Sequence, residues 1–302
     1  MDPRDRVVII TGASAGIGAA AARAFGAAGA RLVLAARSRE RLEHLAATLP
    51  GQPIVVPTDV SDPAQCRALV ARALAEAGRA DILINNAGVG LAGPVAELAP
   101  EDVWRALAVD LFGPLALIQA AVPPMRAQGR GQIINVSSVL AAQPLPYLGG
   151  YAAAKAALER LSEALRMELR GSGITVTVLR PGTTSTGFRA SRLGSGSERR
   201  RIAAPGVPPE AVARALLRAA RDEPRVAYVR FADRLALRAS ALFPALVERL
   251  LAGAITWEAG GSGSGEHESA TASRAATLSA AHARVSPQSP DRVDHLESDT
   301  SP

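Results

Sequence analysis

The sequence predicts an α/β fold in which a doubly wound, seven-stranded parallel sheet carries helices on both faces. Three observations predict it. Short β-branched runs alternate with long Ala/Arg/Leu-rich stretches of helical period, the rhythm of β-α-β units joined by right-handed crossovers. The runs are continuously apolar instead of alternating, as strands covered on both faces must be. A chain of 302 residues, 48% of them hydrophobic, is also large enough to bury such a sheet in one domain.

In chain order, the first strand is read at 7–10, Val-Val-Ile-Ile, and an alanine-rich helix follows over 18–29. A strand at 32–35 leads into a helix over 39–49, and a strand at 54–56 into a helix over 63–78. The central strand at 82–85 precedes a long helical stretch over 100–128. Strands at 132–136 and 175–179 bracket a helix over 150–170, and a helix over 209–221 returns the chain to a last strand at 226–229. Two regions break the rhythm. Residues 182–208 are rich in Thr, Ser, Gly and Arg and too long for an ordinary connector, the profile of a lid or a disordered segment. Residues 259–302 open on Gly-Gly-Ser-Gly-Ser-Gly and lack periodicity, so a disordered tail is expected after a domain spanning 1–258. Between them, Leu235, Leu242, Phe243, Leu246, Val247, Leu250, Leu251 and Ile255 recur at helical spacing over 234–255, with Arg234, Arg238 and Arg249 on one face. Pro244 is placed to kink that segment.

Composition narrows the partners. The formal charge is +6, but aromatic residues make up only 3%, leaving no stacking platform for single strands, and the arginines are scattered apart from Arg199, Arg200 and Arg201. No nucleic-acid partner is expected. The single cysteine, Cys66, excludes an internal disulfide, and no cluster of His, Cys and carboxylate ligands suggests a metal. Residues 1–6 are polar and no apolar run free of Gly, Pro or charge reaches the length of a bilayer span, so neither a targeting segment nor a transmembrane helix is expected, and a reducing cytoplasm is the expected location. Lys155 is the only lysine among 34 basic residues. Arginine serves wherever a surface cation suffices, so the exception marks a place where a fork-shaped guanidinium cannot serve.

Directly after the first strand stands Thr11-Gly-Ala-Ser-Ala-Gly-Ile-Gly18, then a helix. Small residues there let the backbone turn tightly and approach a pyrophosphate, whose charge rests on the free N–H groups of a helix N-terminus. The same run matches G-x-S-x-G, a hydrolase nucleophile elbow with Ser14 as nucleophile. That reading needs a later histidine as base. His44 lies early, and His267, His282 and His295 fall in the tail, so no base is available. After the second strand comes Leu34-Ala-Ala-Arg37-Ser-Arg39, with no carboxylate to receive a ribose 2′-hydroxyl. Arg37 is instead suited to pair with a 2′-phosphate, which points to NADP over NAD.

Tyr151-Ala-Ala-Ala-Lys155 places phenol and ammonium on one helix face at i and i+4. A free tyrosine near pKa 10 is a poor acid-base group at neutral pH, and a fixed cation beside it stabilises the phenolate. Ser138, at the end of the fifth strand, is placed to steady a substrate carbonyl or the oxyanion formed from it. With these residues in order, the chain resembles the short-chain dehydrogenase/reductase family, in its single-domain Rossmann-fold branch, over about residues 5–230. The resemblance implies that Thr11, Gly12, Ser14, Gly16, Ile17 and Gly18 form the cofactor turn, that Asp59 and Val60 line the adenine pocket, and that Asn86, Ala87 and Gly88 belong to its Asn-Asn-Ala-Gly motif with Asn85. It implies that Pro181, Gly182 and Thr186 hold the nicotinamide amide, and that Ser138, Tyr151 and Lys155 carry the chemistry, Tyr151 and Lys155 also touching the cofactor. Where the family usually has an asparagine supporting a water beside the lysine, this chain has Asp110, which near Lys155 would favour the ammonium and offset part of its pull on Tyr151.

The resemblance thus implies hydride transfer between NADP(H) and a carbonyl or secondary alcohol. The pocket is expected to be lined by 142–149, 182–208 and the segment after Arg230, and its leucines suit a small apolar substrate. The 234–255 segment is read as closing that pocket, with peripheral membrane or partner contact as its other role. A homodimer or homotetramer is implied, paired through helices 100–128 and 150–170, with the extended C-terminus favouring a dimer. A cofactor-binding sensor without turnover is the competing class, and the intact Tyr151 and Lys155 argue against it.

Overall fold

The structure, a computed structural model, describes residues 1–194, 196–200 and 206–258, and the tail expected at 259–302 lies outside them. The sheet is built from β1 (Val7–Thr11), β2 (Arg31–Ala36), β3 (Ile54–Pro57), β4 (Ile82–Asn85), β5 (Gly131–Val136), β6 (Ile174–Arg180) and β8 (Val226–Tyr228). They lie in the order β3-β2-β1-β4-β5-β6-β8, every pair parallel. Because side chains alternate across a strand, β1 sends Val8 and Ile10 into one core layer and Val7 and Ile9 into the other, all fully buried. The first layer is closed by α1 (Gly16–Ala27), α2 (Arg39–Ala46) and α7 (Pro209–Asp222), through Phe25, Leu42 and Leu216. The second is closed by α3 (Pro63–Ala77) and α5 (Gly113–Ala127), through Leu69, Leu117 and Met125, joined by Leu165 and Leu169 at the end of α6 (Gly149–Glu168). The seven-stranded parallel sheet with helices on both faces is as the sequence predicts.

The strand order reverses between β1 and β4, and the two crossovers leave there in opposite directions. A crevice therefore opens beyond the carboxyl ends of these strands, where ligands of open α/β sheets bind. It fixes where the site must be.

Three elements depart from the sequence reading. The helix expected at 100–128 is three pieces, α4 (Pro100–Leu107), a π turn at Ala108–Phe112 and α5. Together they form one run, Pro100–Ala127, long and apolar enough by length and composition to cross a bilayer, with 44% of its apolar window buried within the fold. The segment at 234–255 is not one kinked helix but two, α8 (Phe231–Leu242) and α9 (Pro244–Ala254), broken at Phe243. Proline disfavours helical backbone in the residue before it and is at ease in the first turn, so Pro244 ends one helix and starts the next. Ile255 leaves that helical face altogether: it is buried in β9 (Ile255–Glu258), which pairs antiparallel with β7 (Ser197–Arg200). Ser-Glu-Arg-Arg has no apolar residue, and the alternation of Ile-Thr-Trp-Glu is only four residues long and directly follows a helical run, so periodicity reads neither as a strand. Residues 201–205, the rest of the basic run and of the expected lid included, lie outside the described residues.

Candidate active site

The crevice is floored by the turn after β1. Gly12 and Gly16 have left-handed φ of 65° and 52°, and a Cβ on Gly12 would lie 2.9 Å from the Ala87 Cα. A Cβ on Gly18 would lie 2.2 Å from the Gly12 carbonyl oxygen. Only glycine permits this packing. The N-terminus of α1 has no side-chain cap and no acidic residue in its first turn, so its N–H groups are free to meet an anion. Ser14 and Ile17 sit on the same turn, half-buried. Thr11 is placed differently from its neighbours. It is buried, and its hydroxyl donates to the Ile84 carbonyl at 3.3 Å while accepting from the Asn86 and Ala87 N–H groups, both at 3.0 Å. Asn86 Nδ2 donates back to the Thr11 carbonyl at 2.8 Å. These bonds hold the β1 and β4 turns together, whereas Asn85 points into the core and donates to Asn135.

Beside the crevice, Arg37 at the end of β2 is exposed and pairs with no carboxylate among the described residues, whereas Arg39 pairs with Glu43 at 3.4 Å. Asp59 accepts from the N–H and hydroxyl of Ser61, at 2.9 and 2.7 Å. Val60 is buried, and its carbonyl would meet a Cβ on Gly113 at 2.5 Å.

At the carboxyl ends of β4 and β5, four of the expected side chains converge. Lys155 Nζ lies 2.9 Å from Asp110 Oδ1, both residues buried, and also donates to the Val136 carbonyl at 3.1 Å. The same nitrogen is 5.8 Å from the centre of the Tyr151 ring. Asp110 reaches inward because the π turn shifts the helical register at that residue, the kind of irregularity often kept at functional sites. Its carboxylate also faces the Val89 N–H at 3.3 Å, and Gly88 closes the remaining side: a Cβ there would lie 2.7 Å from Asp110 Oδ1. Ser138 is buried in extended backbone, its hydroxyl accepting from the Leu140 N–H at 3.1 Å and standing close enough to the Tyr151 phenol to act on its protonation.

The electrostatics follow from this geometry. Burial pushes the Asp110 carboxyl above the usual carboxylate range, against the pull of Lys155. Burial alone would lower the Lys155 ammonium, but Asp110 and Tyr151 more than offset it and the net direction is upward. Tyr151 is raised, first by burial; Lys155 pulls it down, Asp110 pushes it up, and the Ser138 hydrogen bond lowers it in part. The opposing effects of the two charges are those the sequence predicts for an aspartate beside the lysine. The net result is a phenol that holds its proton at neutral pH.

The long loop after β6 folds over this face. Thr186 caps a short 3-10 turn, Gly187–Ser191, and its methyl would lie 3.3 Å from a Cβ on Gly16. Phe188 meets the Tyr151 ring edge-on, centroids 5.7 Å apart. Leu193 is tied to Gly90 and Ala92 by backbone hydrogen bonds. Pro181 accepts from the Val139 N–H, and Gly182 lies beside Asp233 on α8.

The short chain dehydrogenase family model matches residues 6–194. The chain belongs to that family. Its relatives include a dehydrogenase/reductase SDR family protein 7-like of Anopheles gambiae, 36% identical over 76% of this chain and 77% of that protein. Among solved structures, a short-chain dehydrogenase/reductase of Burkholderia phymatum in complex with NAD matches with a TM-score of 0.74, 27% identity, and coverage of 82% of this chain and 96% of that one. A short chain dehydrogenase of Burkholderia cenocepacia in complex with NADP matches at 0.70, 26% identical, over 83% and 99%.

This dehydrogenase/reductase also contains a buried network that the sequence reading missed. Glu159, one helical turn beyond Lys155 on α6, is 2% exposed. It accepts from Arg180 Nε at 2.9 Å and Nη2 at 2.5 Å, and from the Ser137 hydroxyl at 2.7 Å. Arg180 Nη1 also donates to the Tyr228 hydroxyl at 3.0 Å. The network ties α6, the strand end before Ser138, the strand end before Pro181 and the edge strand β8. The only sequence signal was the i, i+4 spacing from Lys155, which surface pairs share.

Proposed function

We propose that the chain is an NADP(H)-dependent oxidoreductase acting on a carbonyl or secondary alcohol, with Ser138, Tyr151 and Lys155 at the reacting atoms. The observation that carries this reading is the convergence of Ser138, Tyr151, Lys155 and Asp110 beside a glycine cradle. The residues suit a dinucleotide: glycine at 12 and 18 lets the turn pack tightly against Ala87 and against its own carbonyl, the α1 N-terminus is uncapped, and Arg37, beside the β2 end, has no carboxylate partner among the described residues. Gly12, Gly16 and Gly18 with Ser14 and Ile17 would hold the pyrophosphate side, Arg37 the 2′-phosphate, Asp59 and Val60 the adenine, and Asn86–Gly88 and Pro181–Thr186 the nicotinamide half. Thr11 supports them from within. When bound, the nicotinamide supplies or accepts the hydride.

The chain's own residues do the rest. Ser138 orients the substrate oxygen. Tyr151, kept protonated by burial, gives that oxygen its proton in the reducing direction. Lys155, fixed by Asp110 and Val136, steadies the phenolate left behind and is placed to hold ribose hydroxyls. A cytoplasmic location and pairing through α4–α5 and α6, where Trp104 and Met167 are exposed, complete the proposal.

Titration with NADPH and NADH, followed by nucleotide fluorescence, tests it without a substrate. NADPH is expected to bind at least tenfold tighter, and Arg37→Asp to level or reverse the preference. A preference for NADH would refute the role of Arg37, and binding of neither would refute the enzyme. Asp110→Asn tests the charge relay. It removes a carboxylate that pushes Tyr151 upward, so the phenol's pKa falls. Alcohol oxidation, which needs the phenolate, then sets in at lower pH, and carbonyl reduction, which needs the phenol, is lost at lower pH. An unchanged pH–rate profile would remove Asp110 from the relay.

A further inference from the structure

Loop 142–146, which leads from Ser138 toward Tyr151, has a second side. Together with α8 and α9 it encloses a cleft of about 560 Å³, a size typical of small-molecule sites. Neither Ser138 nor Tyr151 lines it. Pro144, Pro146, Leu237, Ala241, Pro244 and Leu251 make its apolar wall. Its charged lining is one-sided, Arg180, Arg234 and Arg238 against Glu248 alone. Arg180 is committed to Glu159 and Tyr228, but Arg234 and Arg238 have no carboxylate partner among the described residues. Standing at i and i+4, these two arginines share one face of α8 with Leu237 and Ala241, so a basic pair borders an apolar trough.

We propose that this cleft is a binding site for a single-chain amphiphile with an anionic head, its chain on the Leu237–Pro244–Leu251 wall and its head against Arg234 and Arg238. An apolar trough favours burying a chain at about 25 cal/mol per Å². Unpaired guanidinium groups supply the charge-assisted hydrogen bonds that select a carboxylate or phosphate over an alcohol. None of the proposed cofactor residues lines the cleft, and its loop 142–146 follows Ser138 in the chain. The Ser240 hydroxyl donates to Gln143 Oε1, pinning α8 to the loop, so an occupant braces the segment just after Ser138. The inference does not depend on the proposed reaction, because binding is read without nucleotide or turnover.

Trp257 is a ready reporter: its ring stacks on Tyr147, next to Pro146, with centroids 5.3 Å apart. In full-length Trp104→Phe protein, Trp257 fluorescence would be titrated with decyl phosphate, decanoate, decanol and inorganic phosphate below micellar concentrations. Decyl phosphate and decanoate are expected to saturate a single site, with decanol and inorganic phosphate at least tenfold weaker. The double substitution Arg234→Ala/Arg238→Ala should weaken the anions at least tenfold, Arg234→Lys/Arg238→Lys should retain most affinity, and Leu237→Trp should fill the trough and block binding. Both arginines are exposed, so the fold is not at stake. Equal binding of decanol, or no effect of removing both arginines, overturns the proposal. So does a response to phosphatidylcholine/phosphatidylglycerol vesicles with none to monomeric decyl phosphate, because the exposed Leu242, Phe243, Leu246 and Leu250 would then be a membrane face instead.

Discussion

Tyr151→Phe is expected to lower turnover by on the order of 10³-fold while leaving the NADPH dissociation constant within about twofold. The phenol oxygen is the proton-bearing atom placed beside both Ser138 and Lys155, and phenylalanine removes that atom while keeping the ring that packs against Phe188. Little destabilisation should follow, so the loss will read as chemistry. Steady-state reduction of a carbonyl panel, with nucleotide binding measured in parallel, separates the two effects. Residual activity within tenfold of the parent would require another proton donor, for which the Ser138 hydroxyl is the candidate.

Arg180→Met is expected to have the largest effect on stability, a loss of roughly 3–5 kcal/mol in urea unfolding. The substitution leaves the Glu159 carboxylate inside the protein with the Ser137 hydroxyl as its one remaining hydrogen-bond partner among the described residues. An uncompensated buried charge costs far more than the net worth of the pair that held it. The double variant Arg180→Met/Glu159→Leu should therefore lose less than Arg180→Met alone, a non-additivity that a simple packing defect would not produce. If the single substitution costs under about 1 kcal/mol, water reaches Glu159 and the network is not the clamp that joins α6 to β5 and β6.

Why some of this was legible in the chain and some was not follows from the range of the forces. Strand and helix periods are local, so the seven strands of the sheet and most of their helices could be read from windows of a few residues. So could Tyr151 and Lys155, whose alignment needs only the helical repeat, and Gly12, Gly16 and Gly18, whose turn lies between one strand and one helix. The break at Pro244 was half-legible. Proline announces a disturbance, but whether it bends a helix or begins a new one depends on what the second piece packs against.

Other features exist only through contacts between distant segments. β7 and β9 are strands because Ser197–Arg200 and Ile255–Glu258 meet; the first has no apolar residue, and the four-residue alternation of the second is too short to reveal it alone. The Glu159–Arg180–Tyr228 network joins three elements, and no window holds more than one of its members. Asp110 is the sharpest case. Its identity showed that an aspartate stood where the family usually has an asparagine, but a π turn, a shift in hydrogen-bond register invisible to side-chain pattern, aims it at Lys155. The sequence by itself determined the sheet, the glycine turn and the Tyr151–Lys155 pair, because each rests on short-range geometry. Tertiary structure alone decided which charges face one another and where a second cleft opens, because a buried Coulombic pair or a cavity wall is set by distance in space.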